Sequence, residues 1–169
     1  MEYSAASLSY LEILYKKLEA YTQHLSNIHK DRLKCQKGCF SCCVDNLEVL
    51  GLEAAYIQQK YPQVLSEEKG PLGACAFLDG EGACRVYFAR PFICRTHGLP
   101  LNLEVEENGQ VFDILDICEL NETEIPLSDL PEEHILNVKT FEQILLGLQI
   151  DADKGSMHRV KLREMFVNQ

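Results

Sequence analysis

Cys35-Gln36-Lys37-Gly38-Cys39-Phe40-Ser41-Cys42-Cys43 places four cysteines within nine residues. The spacing is C-x3-C-x2-C-C, and gaps of two or three residues let one tight loop aim several sulfurs at a single point. Thiolate-bound zinc and iron–sulfur clusters need that arrangement. Gly38 supplies backbone freedom barred to residues with a Cβ. Lys34 and Lys37 favour the ionised thiols electrostatically. Side chains of adjacent residues diverge, so Cys42 and Cys43 pose a choice. Either both ligate, or one ligates while the other serves a second metal, meets the cluster edge, or packs as a small apolar group.

Four more cysteines follow at Cys75, Cys84, Cys94 and Cys118, making eight in 169 residues. None of these later spacings is diagnostic alone, and a buried inert thiol is the ordinary role of an isolated cysteine. Together, four early and four late thiols make either one site with spare ligands or two four-ligand sites. Disulfides persist in oxidising compartments, whereas clustered thiols in a reducing one read as metal-binding or redox-active. Met1-Glu2-Tyr3-Ser4-Ala5 lacks the basic start and apolar run of a secretory signal. The expected location is therefore cytoplasmic. An exported disulfide protein is the alternative.

Outward from the cysteines, the chain reads as a single α+β domain over 1–169, mainly helical, with the cysteine-cluster segment at 35–121. Ser4 to about Asp31 forms a long N-terminal helix. Its stripe is Leu8, Leu11, Tyr15, Leu18, Thr22, Leu25 and Ile28, with Lys16, Lys17, Glu19 and Gln23 opposite. Asp45 or Asn46 caps a second helix, with Leu47, Leu50, Ala54 and Ile57 inward and Pro62 at its end. Asp79-Gly80-Glu81-Gly82 is a turn between two short strands, Phe77-Leu78 and Cys84–Tyr87. Asn108-Gly109 closes a small β-hairpin between 99–106 and 111–118. Pro131 and Glu132-Glu133 open a helix to about Gln149, carrying Val138, Phe141, Ile144, Leu145 and Leu148. A short helix is expected in 156–169.

Composition removes some functions. The net charge of −10, from 26 acidic and 16 basic residues with no basic cluster, argues against nucleic-acid binding. No apolar run reaches the roughly 18–20 residues of a membrane helix. No phosphate loop, dinucleotide fingerprint or nucleophile elbow is present. Arg90 and Arg95 bracket Cys94 and could offset cluster charge or receive an anionic ligand. Tyr87 could donate its hydroxyl to a cluster sulfur, and His97 could ligate zinc. His24, His29, His134 and His158 are expected in solvent.

The ordered set Cys35–Cys43, Cys75-Ala76-Phe77-Leu78-Asp79, Gly82-Ala83-Cys84-Arg85-Val86-Tyr87 and Arg90-Pro91-Phe92-Ile93-Cys94-Arg95 resembles the YkgJ-type cysteine-cluster proteins. These are described as zinc- or iron-chelating and are named for a C-x-x-C-x-x-C-C pattern. The chain departs from the pattern in its opening three-residue gap and in Ala76, where the family usually has proline. The resemblance implies that all eight cysteines are candidates for the metal site. Flagellin lysine methylases carry a similar cluster, which extends the comparison to methyl transfer.

The expected function is a cysteine-ligated metal protein holding a [4Fe–4S] cluster or zinc. The cysteine count exceeds what one structural zinc requires and inclines the choice to iron–sulfur. Within that reading the protein is an enzyme, a structural zinc adaptor with a protein partner, or a metal carrier. Cys39–Cys42 as a thiol–disulfide couple would leave six cysteines unexplained.

Overall fold

The computed structural model describes residues 3–36, 38–122 and 124–167; Lys37 and the last two residues of the tail lie outside them. Its architecture is α+β. The N-terminal periodicity becomes α1 (Ala5–Ile28), whose first turn is capped by Ser4 Oγ accepting the Ser7 N–H at 3.0 Å. The expected stripe is the buried one, from Leu8 through Leu25 with Leu14 added, and Ile28 is half-buried. The opposite-face residues Lys16, Lys17, Glu19 and Gln23 are exposed.

The chain divides into two compact units. The first comprises Met1–Glu12, Gln36–Pro91 and Leu146–Gln169. In it β1 (Glu48–Leu50) pairs antiparallel with β5 (Arg159–Lys161), in register Val49 to Val160. The second expected helix therefore starts later than its Asp45/Asn46 signal, as α2 (Gly51–Lys60). Pairing with β5 holds residues 48–50 extended, and Asp45 is engaged elsewhere. Two contacts replace the expected cap. The Glu53 carboxylate accepts the Leu50 N–H at 3.1 Å, and Gln149 Oε1 accepts the Leu52 N–H at 2.9 Å.

Gln149 is fully buried, and its Nε2 donates to Asp153, the Tyr3 hydroxyl and the Ser156 carbonyl. Gly51 leaves room for the Tyr3 hydroxyl, since a Cβ there would lie 2.1 Å from its oxygen and displace it. Leu52, Ile57, Val49, Phe77, Val86 and Leu162 form the core of this unit. The expected strand pair around Asp79 is reduced to one bridge, Leu78 to Cys84, and Tyr87–Ala89 is a 3-10 turn. The tail forms β5 and a 3-10 turn, Leu162–Met165, in place of a helix.

The second unit comprises Ile13–Cys35 and Phe92–Leu145. It holds α3 (Phe92–Thr96) and a sheet ordered β3–β2–β4, built from β2 (Leu101–Glu107), β3 (Gln110–Asp116) and β4 (Leu136–Asn137). The hairpin closes at Asn108-Gly109 as expected, with φ of 53° and 76°. Pairing of β4 with β2 delays the last helix, α4 (Val138–Ala152), whose start is marked by Asn137 Oδ1 accepting the Thr140 N–H. Glu132–His134 is a 3-10 turn. His29, expected in solvent, is buried, and its Nε2 lies 2.7 Å from the His134 carbonyl oxygen. A carbonyl only accepts, so that nitrogen carries the proton.

Candidate metal centre

All eight cysteines are among the described residues and none forms a disulfide. In the first unit the loop after Gln36 folds through successive turns. Cys39 N–H donates to the Gln36 carbonyl, Cys43 N–H to Phe40, and Val44 N–H to Cys42. Gly38 has φ of 89°, the conformation expected of it. The Cys75 N–H then donates to the Cys43 carbonyl at 2.8 Å, joining the loop to the later pair. Asp79 Oδ1 accepts the Glu81 and Ala83 N–H groups, and that turn returns Cys84 opposite Leu78. A Cβ on Gly82 would lie 2.6 Å from the Phe40 ring, so the glycine lets Phe40 seat against this turn.

The result is a set of thiols that affect one another electrostatically. The Cys43 thiol is pushed up to about 12, by burial first and then by Cys42, Cys75 and Cys84, with a Cys42 hydrogen bond contributing. Burial also pushes Cys75 and Cys84 up, and Cys84 feels Cys75 as a further unfavourable charge. Backbone N–H groups of Phe77 and Val86 oppose these shifts, as do nearby guanidinium groups. Arg163 and Arg85 act on Cys75, and Arg90 and Arg85 on Cys84.

Two arginines fix the backbone beneath this set. Arg163 donates to the carbonyls of Gly70, Pro71 and Ala74 at 3.1, 2.8 and 2.7 Å and pairs with Asp45. Asp45 Oδ2 accepts the Gly73 N–H, and these contacts hold its carboxyl below the usual range, Arg163 contributing most. Arg85 Nη2 donates to the Ala76 carbonyl at 2.7 Å and Nη1 pairs with Glu67 at 3.0 Å. Arg85 lies within the Gly82–Tyr87 motif, but Arg163 does not stand out in the sequence. Arg163 lies 118 residues from Asp45, and no local pattern announces the pair.

Cys35, Cys94 and Cys118 belong to the second unit. Buried Asn121 organises their surroundings. Its Nδ2 donates to the Gly98 carbonyl at 2.6 Å, its Oδ1 accepts the Lys34 N–H at 2.8 Å, and its own N–H donates to the Cys118 carbonyl. Gly98 has φ of 99°, and a Cβ there would lie 2.8 Å from Cys35 Sγ. Cys94 sits on α3, which ends two residues before Gly98.

Of the other expected site residues, Arg90 stacks on the Tyr87 ring at 3.6 Å in the first unit, and its charge reaches Cys84. Tyr87, expected half-buried on a strand, is 51% exposed on its 3-10 turn. Arg95 pairs with Glu19 at 2.9 Å and stacks on Tyr15 in the second unit. His97 is exposed on the turn after α3.

Among the described residues, no three His, Cys, Asp or Glu side chains already stand in position to hold one metal ion. The donor chemistry nevertheless fits a soft cation. Cys75 is hydrogen-bonded through its backbone to Cys43, and a bound cation would favour the thiolate that burial first, and the neighbouring thiols next, disfavour at Cys43. Residues 34–122 match the family model described as "CxxCxxCC: Putative zinc- or iron-chelating domain", and this span is just over half of the chain. No curated protein and no solved structure matches the chain.

Proposed function

From the premise that the chain belongs to the CxxCxxCC family of zinc- or iron-chelating domains, we propose that Cys42, Cys43, Cys75 and Cys84 are the donors of its principal metal centre. The observation that carries this is the Cys75 N–H donating to the Cys43 carbonyl at 2.8 Å, which sets the loop of Cys42 and Cys43 against the segment whose Leu78–Cys84 bridge brings in the fourth thiol. Four thiolates suit a tetrahedral zinc or a [4Fe–4S] cluster. We place iron–sulfur first, because eight cysteines exceed the needs of one structural zinc. Zinc is the second reading, and the family description names both metals. When bound, a cluster would supply electron transfer or Lewis acidity, and zinc a structural tie between the loop and the 75–84 segment.

The protein's own residues give this centre its setting. Asp45 and Arg163 fix the backbone on either side of Cys43 and Cys75. Arg90 and Arg85 place positive charge beside Cys84, offsetting thiolates that form when protons leave. Cys35, Cys94 and Cys118 are the candidates for a second, three-thiol group with Asn121 beneath it. Cys39 lies in the same loop as Cys42 and is a further candidate donor of the first unit.

Anaerobic purification, an absorption spectrum and metal analysis test the reading. A brown protein absorbing broadly near about 400 nm supports iron–sulfur. A colourless one with stoichiometric zinc supports the alternative. Cys75→Ser and Cys84→Ser should each lose the metal while Cys118→Ser keeps it. Full retention of metal in Cys43→Ser and Cys75→Ser would remove this donor set.

A further inference from the structure

The charge of this chain is confined to one stretch. Between Arg95 and Lys139 the sequence carries eleven acidic residues and no lysine or arginine, so the remainder is close to neutral. That stretch contains the hairpin of β2 and β3. In its register Val105 opposes Phe112 and Leu103 opposes Ile114, so four apolar side chains share one face. Val105, Phe112 and Ile114 are 40, 46 and 47% exposed, and with Glu106 and Glu107 they line an open hollow of about 480 Å³.

Among the described residues β3 is an edge strand, paired only with β2. All seven of its residues are exposed, although the turn Leu127–Asp129 comes near it and adds Asp129 to its surroundings. Natural sheets protect such edges with lysine, proline or a bulge. Gln110-Val111-Phe112-Asp113-Ile114-Leu115-Asp116 has neither lysine nor proline.

We propose that β3 and this acidic-rimmed apolar face receive an extended segment of a partner protein in which apolar residues alternate with lysine or arginine. The added strand would pair its backbone with β3. One side of it would cover Phe112 and Ile114, and cations on its other side would meet Asp113 and reach Glu106, both on the opposite face of the hairpin. A second copy of this chain is disfavoured as occupant, because it would bring the same acidic rim against itself. A nucleic acid or an anionic membrane would be repelled. The inference does not depend on the metal centre, since every residue it uses lies in the second unit and none is a cysteine.

The test uses the full chain as purified and a short peptide alternating lysine and valine. The control is a peptide of the same composition with lysines and valines in separate blocks. Titration should show the alternating peptide binding about tenfold or more tightly than the block peptide. Hydrogen exchange on the wild-type complex should slow specifically at Gln110–Asp116. Phe112→Ser and Asp113→Lys should each weaken binding by about tenfold. Equal binding of the two peptides, exchange unchanged within β3, or self-association of the chain without peptide would each overturn the proposal.

Discussion

Replacing Arg163 with alanine removes four contacts at once, and the structure sets their scale. The guanidinium donates to three carbonyls, of Gly70, Pro71 and Ala74, and pairs with Asp45, while its side chain is only 20% exposed. The Gly70 and Ala74 bonds are part-buried. Hydrogen bonds to a charged group contribute roughly 1.5–3 kcal/mol net, so the low end for these two gives about 3 kcal/mol. The Pro71 bond is open to solvent and adds little, and the part-buried pair with Asp45 is left out of the sum, which is therefore a lower bound. In a chain of 169 residues each kcal/mol lowers Tm by roughly 2–4 °C, so Arg163→Ala should melt about 6–12 °C lower when metal-free. Because the freed segment leads directly into Cys75, metal affinity should also fall by roughly 10–100-fold, as for other groups that orient metal ligands.

Thermal melts under reductant and a competition titration against a zinc chelator measure the two effects. Arg163→Lys separates charge from geometry. Lysine keeps a cation near Asp45 but cannot span three carbonyls, so it should recover little of either loss. The reasoning is refuted if Arg163→Ala shifts stability by no more than the ~0.5 kcal/mol usual for a surface site and binds metal as tightly as the wild type.

Three further outcomes follow from the same contacts. In the unfolded chain the thiols ionise near about 8.5, whereas folded Cys43 holds its proton to about 12 and Cys75 and Cys84 are also raised. Above about 8.5 the unfolded state therefore binds fewer protons, and metal-free stability should fall as pH rises. Urea midpoints that climb with pH over that window would contradict the shifts, whereas metal affinity should climb because binding releases those protons. Asn121→Ala leaves the buried Gly98 carbonyl and the part-buried Lys34 N–H without their partner and should cost about 1–3 kcal/mol in chemical denaturation. Gln149→Leu keeps the volume but orphans the Leu52 N–H; a cost of about 1–3 kcal/mol, with faster amide exchange in the first turn of α2, is expected.

Where each element was legible in the sequence depended on how local its cause is. The α1 stripe and the Asn108-Gly109 turn rest on periodicity and on backbone conformation, which neighbouring residues dictate. The start of α2 was misplaced because Asp45, a good cap by its chemistry, is taken by Arg163, and residues 48–50 are claimed by β5. The start of α4 moved for a similar reason. Pro131 and the two glutamates favour a helical turn, and one forms, but β4 joins β2 before the helix can continue. The cysteines show the same limit most plainly. Spacing identified a thiol-rich loop, yet Cys35 and Cys39, separated by three residues, fall in different units. Cys43 is instead joined by a backbone hydrogen bond to Cys75, 32 positions on. The backbone partners that bring distant segments together decide which thiols meet: Arg163 and Arg85 hold the carbonyls before and after Cys75 in the first unit, and Asn121 holds the segments of Lys34, Gly98 and Cys118 in the second. No local pattern singles out Arg163 or Asn121, and Arg85 sits in the Gly82–Tyr87 motif without that motif announcing its contacts. The family match covers Arg85 and Asn121 but stops before Arg163, so the contact tested first is the one that only the folded chain reveals.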